Sequence, residues 1–406
     1  MQMINRSFKS TYFFLVLISL MGMISCRSQP AKTAIETEET IPLILAANQT
    51  EKYLPLLKNK NIALVTNQTS VIFKSDGHYI HLVDSLLKRD LEISKVFAPE
   101  HGFRGKADAG EHVADGKDVN TGLPIISLHG KHKKPTQEQL EGLDLVVFDI
   151  QDVGVRFYTY IATLQYVMEA CAEANIPVLV LDRPNPNAHY IDGPTLELEH
   201  RSFLGLNSIP LVYGMTIGEY ANMINGEGWL TEGIQCDLTV IPLKNYTHQT
   251  PYSLAIRPSP NLPNDQAINL YPSLGFFEGT TINAGRGTEM QFQIYGAPFF
   301  EPSSFSYTPV ANFGAKYPKH KGESCNGVDL RSEEKLSQIN LKWLLDAYNR
   351  TPKDEKFFGP TFTAHAGTTS LQEQIEQGRS AEEIKKSWKP ALDRFKKIRS
   401  KYLLYD

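Results

Sequence analysis

Four short apolar runs, each stopping on a polar or acidic side chain, limit what this chain can fold into. They cover residues 61–67, 93–98, 143–148 and 176–182, and they lead to Asn67, Glu100, Asp149 and Asp182. Helical stretches lie between them, at residues 78–87, at 136–142 with Thr136 as N-cap, and at 158–174. Buried strands alternating with helices at this spacing predict a parallel sheet with crossover helices, a Rossmann-like layer. Ligands of such open sheets sit outside the carboxyl ends of the strands. Parallel strands would bring Asn67, Glu100, Asp149 and Asp182 out along one edge, where the chemistry is expected.

After Arg183 the pattern loosens. Residues 215–224 read as a helix begun near Thr216, and residues 238–243 as a strand. A Pro-rich segment (257–263) and two Gly-flanked turns bearing Glu278 and Arg286 come next. The remainder reads as a smaller α+β domain, with a helix at 371–376 and another opening at Ser380. The expected class is therefore α/β, a mostly parallel Rossmann-like sheet with a second, smaller α/β (α+β) domain. The expected boundaries are a leader at 1–25, a tether at 26–48 and the Rossmann-like domain at 49–190, with an outer limit near 280. The second domain would take residues 191–406 and line a cleft.

Arg6 and Lys9 precede an apolar run at 12–21, and Met23-Ile24-Ser25-Cys26 follows. This reads as a secretory leader, too short for a stable membrane span. Its ending is similar to a bacterial lipobox, which implies cleavage before Cys26 and acylation of that thiol. The expected location is the bacterial envelope, facing the periplasm, with membrane contact only through the lipid. Cys171, Cys236 and Cys325 are odd in number and widely spaced, which suits neither a disulfide framework nor a zinc site. A formal charge of -4 offers no basic face for nucleic acid.

The chain has no G-x-G-x-x-G after its first strand, no phosphate-binding G-x-x-x-x-G-K-[ST] and no G-x-S-x-G elbow. Two acid–His pairs, Glu100-His101 and Glu111-His112, lie near His129 and His132, but their spacing fits no zinc template. No metal and no cofactor is therefore expected. Paired carboxylates remain, and glycoside cleavage needs two groups. One acid protonates the leaving oxygen, and the second activates water or supports the oxocarbenium-like centre. Glu100 is the preferred acid, because apolar Val96, Phe97, Ala98, Pro99 and Phe103 surround it in sequence and desolvation favours the protonated form. The bland alternative is a helix cap or a local pair with Arg104. Asp149, Asp152 and Glu278 are the candidates for the second group. Asp149 and Asp152 could equally cap the helix near Tyr158 or pair with Arg156.

Eight ordered motifs carry a resemblance: A-P-E-H-G-F-R-G, A-G-E, D-I-Q-D-V-G-V-R-F-Y-T-Y, D-R-P-N-P, Y-G-M-T-I-G-E, P-S-P-N, F-E-G-T and G-R-G-T. Together they resemble the exo-β-N-acetylmuramidase family. The resemblance implies a Rossmann-like domain, a smaller α/β domain and an active site in the cleft between them. It also implies release of N-acetylmuramic acid from the non-reducing ends of peptidoglycan fragments, with muropeptides and disaccharides as partners. Glu100 matches the glutamate of the family's P-E-H-G motif. Residues expected around the substrate are Asn67, His101, Arg104, Glu111, Arg156, Tyr158, Asp182, Arg183 and Arg286. Arg286 is favoured for the lactyl carboxylate of muramic acid. Two readings compete: a non-catalytic muropeptide-binding lipoprotein, and a metal-dependent amidase or esterase.

Overall fold

The computed structural model describes residues 42–105 and 115–406. The leader, Cys26, Glu111 and His112 lie outside the described residues. Helix α1 (Thr50–Leu57) leads into β1 (Ile62–Thr66), and the hairpin of β2 (Val71–Phe73) and β3 (Tyr79–His81) precedes α2 (Leu82–Leu87). Then come β4 (Ile93–Ala98), β5 (Gly116–Lys117), β6 (Pro124–Ser127), α3 (Gln137–Leu140), β7 (Leu145–Asp149), α4 (Tyr160–Glu173) and β8 (Val178–Leu181). A hairpin of β9 (Asp192–Thr195) and β10 (Pro210–Val212) is followed by α5 (Ile217–Gly226) and β11 (Leu238–Ile241). Beyond α6 (Asp265–Leu274), a three-stranded sheet contains β12 (Ile294–Ala297), β13 (Ser306–Tyr307) and β14 (Cys325–Asp329). Helices α7 (Lys342–Arg350), α8 (Phe362–Ala366), α9 (Ser370–Glu376) and α10 (Ala381–Arg399) complete the chain.

The main sheet runs β11-β8-β7-β1-β4-β6-β5, parallel throughout except for the antiparallel β5 edge. Side chains alternate between its two faces, as the pleat requires. Ala63, Val65, Val146, Phe148, Val178 and Val180 pack with α4 and α5 on one face. Ile62, Leu64, Leu145, Val147, Leu179 and Leu181 pack with α1 and α2 on the other. Both faces are covered, so the strands read as continuous apolar runs rather than as an alternation. Each fully buried aliphatic side chain contributes about 1.5–3 kcal/mol. Because β11 belongs to this sheet, the Rossmann-like layer reaches past residue 190.

Three local expectations change. Residues 42–48, placed in the tether, are packed: Leu45, Ala46 and Ala47 are buried, and Ile44 pairs with Lys244. The compact body accordingly spans Pro42–Asp406. Residues 78–87 are only partly helical, since Tyr79–His81 pairs with Val71–Phe73 across a turn at Asp76-Gly77 before α2 begins. Helix α6 was not foreseen, because the Pro-rich stretch before it and Pro272 within it hide a helix that Asn264 caps. The caps foreseen at Thr136, Thr216 and Ser380 all form, each within a capping box. Among the described residues, no helix is long and apolar enough to cross a membrane.

Candidate functional site

The carboxyl ends of β8, β7, β1 and β4 lie side by side, and Asp182, Asp149, Asn67 and Glu100 leave them along one edge. Three of the four are enclosed there. Asp149 is fully buried, and Arg183 holds both its oxygens, Nε to Oδ1 at 2.5 Å and Nη2 to Oδ2 at 2.9 Å. Asp182 is fully buried too and accepts from the backbone N–H of Arg183 and Gly218 and from the hydroxyls of Thr216 and Tyr405. Asn67 accepts from Thr69 through Oδ1 and donates to the Tyr160 hydroxyl at 2.9 Å. All three are enclosed by partners from the protein itself.

Two more expected site residues lie behind that edge. Asp152 is buried, accepting from the Gly154 N–H at 2.6 Å and from the Tyr213 hydroxyl. Burial pushes its carboxyl up to about 6, against the pull of those two donors. Arg156 does not pair with an acid. Its guanidinium donates to the carbonyls of Pro194, Ile209, His365 and Ala366 at 2.8–3.2 Å. Arg104, offered as a partner for Glu100, instead makes a two-pronged contact with Asp118 at 3.1 and 2.7 Å and approaches Asp84 at 3.5 Å. An acid fourteen residues along the chain has won over the one four residues back. His101 is buried at the turn after Glu100, with positive φ.

Glu100 is half-buried, and the hydroxyl of Thr159 donates to its Oε2 at 2.8 Å. Thr159 stands directly before α4, between two tyrosines. Tyr158 and Tyr160 meet edge-on at 4.7 Å, and their hydroxyls donate to the Pro258 carbonyl at 2.7 and 3.3 Å. The amide of Gln68 reaches the same carbonyl at 3.1 Å. The Pro-Ser-Pro-Asn loop is thereby fastened across the sheet edge beside Glu100.

Glu278 enters from the other part of the chain. It sits on a short 3-10 turn, Gly275–Gly279, after the fully buried Phe276 and Phe277. Phe277 stacks on Tyr295 at 5.1 Å, and a side chain at Gly279 would strike the backbone of Phe362. The Glu278 side chain itself keeps 24% exposure. Arg286 Nη1 meets its Oε2 at 2.6 Å, from a turn in which Gly285 and Gly287 both have positive φ. Lys319 donates to the backbone carbonyls of Phe277 and Glu278 at 2.6 and 3.2 Å. Burial would push the Glu278 carboxyl up, but the charges of Arg286 and then Lys319 outweigh it and hold the carboxyl below the usual range. Glu278 is therefore ionised at neutral pH.

Tyr271, from α6, feels the charges of both acids. Burial first, and then the charges of Glu278 and Glu100, raise its hydroxyl far above the ordinary phenol value. It remains a protonated donor within electrostatic reach of both carboxyls. Thr159, Tyr271, Lys319 and His365 were not singled out from the sequence. The first lies inside the quoted D-I-Q-D-V-G-V-R-F-Y-T-Y motif and the second seven residues before Glu278, whereas Lys319 and His365 stand in no recognisable pattern. Among the described residues, the one group of three or more ligand-type side chains able to converge on an ion is Glu197, Glu199 and His200, which is largely exposed and apart from Glu100.

Residues 62–266 match the family described as exo-beta-N-acetylmuramidase NamZ, N-terminal, and residues 269–405 match its C-terminal counterpart. The chain is 38% identical to the peptidoglycan beta-N-acetylmuramidase NamZ of Bacillus subtilis (strain 168), over 98% of this chain and all of that protein. Two crystal structures of DUF1343 family proteins from Bacteroides fragilis NCTC 9343 also match. One is 45% identical with a TM-score of 0.83, the other 28% identical with a TM-score of 0.76, and each covers 90% of this chain and 99% of its own. The chain belongs to the exo-β-N-acetylmuramidase NamZ family.

Proposed function

We propose that this protein is a glycosidase that removes β-linked N-acetylmuramic acid from the non-reducing ends of peptidoglycan fragments. The observation that carries the reading is a half-buried glutamate at the end of an apolar strand, Glu100, together with a second glutamate, Glu278, that an arginine pairs at 2.6 Å. Glu278 is held ionised chiefly by Arg286 and Lys319, and Glu100 stands at the end of an apolar strand beside the Thr159 hydroxyl. A carboxylate held ionised suits the charged stabiliser, which leaves the acid's part to the other carboxyl. In the proposed reaction Glu100 gives its proton to the glycosidic oxygen as the bond to the anomeric carbon breaks. Glu278 supports the positive charge that develops on the sugar, water adds its hydroxyl to that carbon, and the water's second proton restores the Glu100 acid.

Hydrolysis of a chromogenic β-muramide by the purified protein tests the assignment. Binding of muropeptides without turnover would instead favour the carrier reading, and loss of turnover in EDTA would favour the metal-dependent one. Arg286 supplies a second check through pH. Removing it in Arg286→Gln deletes the largest charge that opposes the desolvation of Glu278, so the carboxyl pKa rises. Glu278 must be ionised to act, so the acid limb of the kcat/KM profile should move to higher pH. A limb that stays in place would remove Glu278 from the role.

We also propose that Cys26 is the acylated first residue of the mature protein, which would hold the enzyme in the envelope facing the periplasm, beside its substrate. The leader pattern before it supports this reading. Cys26→Ala should shift the protein out of the membrane fraction or leave an uncleaved precursor. Normal processing with unchanged membrane association would disprove it.

A further inference from the structure

Eight large apolar side chains are exposed among the described residues, and three of them, Val310, Phe313 and Tyr317, share the loop between β13 and β14. Scattered exposed apolar residues need no explanation, but a group on one loop does. This loop is also firmly fastened. Val310 N–H donates to the Gly287 carbonyl and Gly322 N–H to Pro309, both at 2.8 Å. His320 Nε2 lies 2.7 Å from the Thr281 carbonyl, and the Lys319 ammonium reaches back to Phe277 and Glu278.

At its tip, Asn312 and Ala315 exchange backbone hydrogen bonds at 3.1 and 3.2 Å, and Gly314 turns the chain with φ +100°. The Gly314 carbonyl accepts from Arg286 at 3.1 Å and from Asn261 at 2.7 Å. One residue earlier stands Phe313, 58% exposed. The backbone under this ring therefore touches the same guanidinium that holds Glu278. Tyr317, 89% exposed, follows on the outer side of the loop, with the Lys321 ammonium 5.8 Å from its ring centre. The fold gains no packing from leaving two rings in water on a braced loop.

We propose that Phe313 and Tyr317 form a shelf for the saccharide on the leaving side of the scissile bond, the sugar next in the peptidoglycan chain. This rests on the glycosidase reading above. An exo-acting enzyme encloses only the terminal sugar, so the rest of the fragment must lie against the rim, close to the reacting carboxyls. Sugar rings present C–H faces that pack on aromatic rings, and an exposed ring at a fixed height suits that contact. The shelf selects for fragment length and leaves the chemistry of bond cleavage unchanged.

The test is a Phe313→Ala/Tyr317→Ala double variant assayed on two substrates. One is a chromogenic muramide with no second sugar, and the other is a muramyl oligosaccharide with natural sugars on the leaving side. The variant should keep the chromogenic rate within about twofold and lose about tenfold in kcat/KM on the oligosaccharide, chiefly through KM. Phe313→Trp with Tyr317→Trp should restore it. Equal losses on both substrates, or no loss on either, would overturn the shelf. A wild-type protein inactive on both substrates would instead overturn the glycosidase assignment.

Discussion

Glu100→Gln should lower turnover of natural muropeptides by roughly 10²–10⁴-fold while leaving the fold intact. The amide keeps the size of the side chain, and its oxygen can still accept from the Thr159 hydroxyl at 2.8 Å in the native geometry. It cannot deliver a proton to the leaving oxygen. A substrate with an activated leaving group needs little protonation, so its rate should fall far less. The contrast between the two substrates is the measurement that matters. An equal loss on both, or a near-native rate on natural fragments, would place the proton elsewhere.

The second large effect concerns stability. Arg183→Met should destabilise the protein by about 3–5 kcal/mol, read as a lower denaturant midpoint at unchanged slope. Asp149 has no exposure and both its oxygens face Arg183, so the variant strands a carboxylate beneath the sheet edge. Replacing both partners with apolar side chains of similar volume should recover much of the loss, because the pair also carries a desolvation cost. A single variant as stable as the parent would show that the pair is not needed to neutralise that buried charge.

The layout of the sheet was legible because its strands are buried on both faces and end abruptly. Asn67, Glu100, Asp149 and Asp182 do share one edge. What the sequence concealed was which of them stays open to a ligand. Asp149 is closed by an arginine thirty-four residues on, and Asp182 by Tyr405, 223 residues away. No local pattern announces such partners. For the same reason the alternative of a local Glu100–Arg104 pair could not be set aside from the sequence, because Asp118, which takes Arg104 instead, lies fourteen residues further on. Glu278 and Arg286 could be flagged as Gly-flanked residues, but their pairing depends on the Asn283 amide. That side chain holds the turn by donating to the carbonyls of Arg286 and Lys319. Lys319 was invisible for another reason: its ammonium serves backbone carbonyls, and carbonyls carry no sequence signature.

Arg156 has a consequence for how the chain reaches this state. The four carbonyls that satisfy its guanidinium lie 38, 53, 209 and 210 residues further on. A nucleus assembled from the sheet strands alone would therefore bury a cation with half its acceptors missing. The sheet cannot close firmly around α4 until the segment bearing His365 and Ala366 has arrived, and long-range closure of this kind slows folding. The join between the two family segments near residue 267 thus divides the sequence but not the set of contacts that buries Arg156.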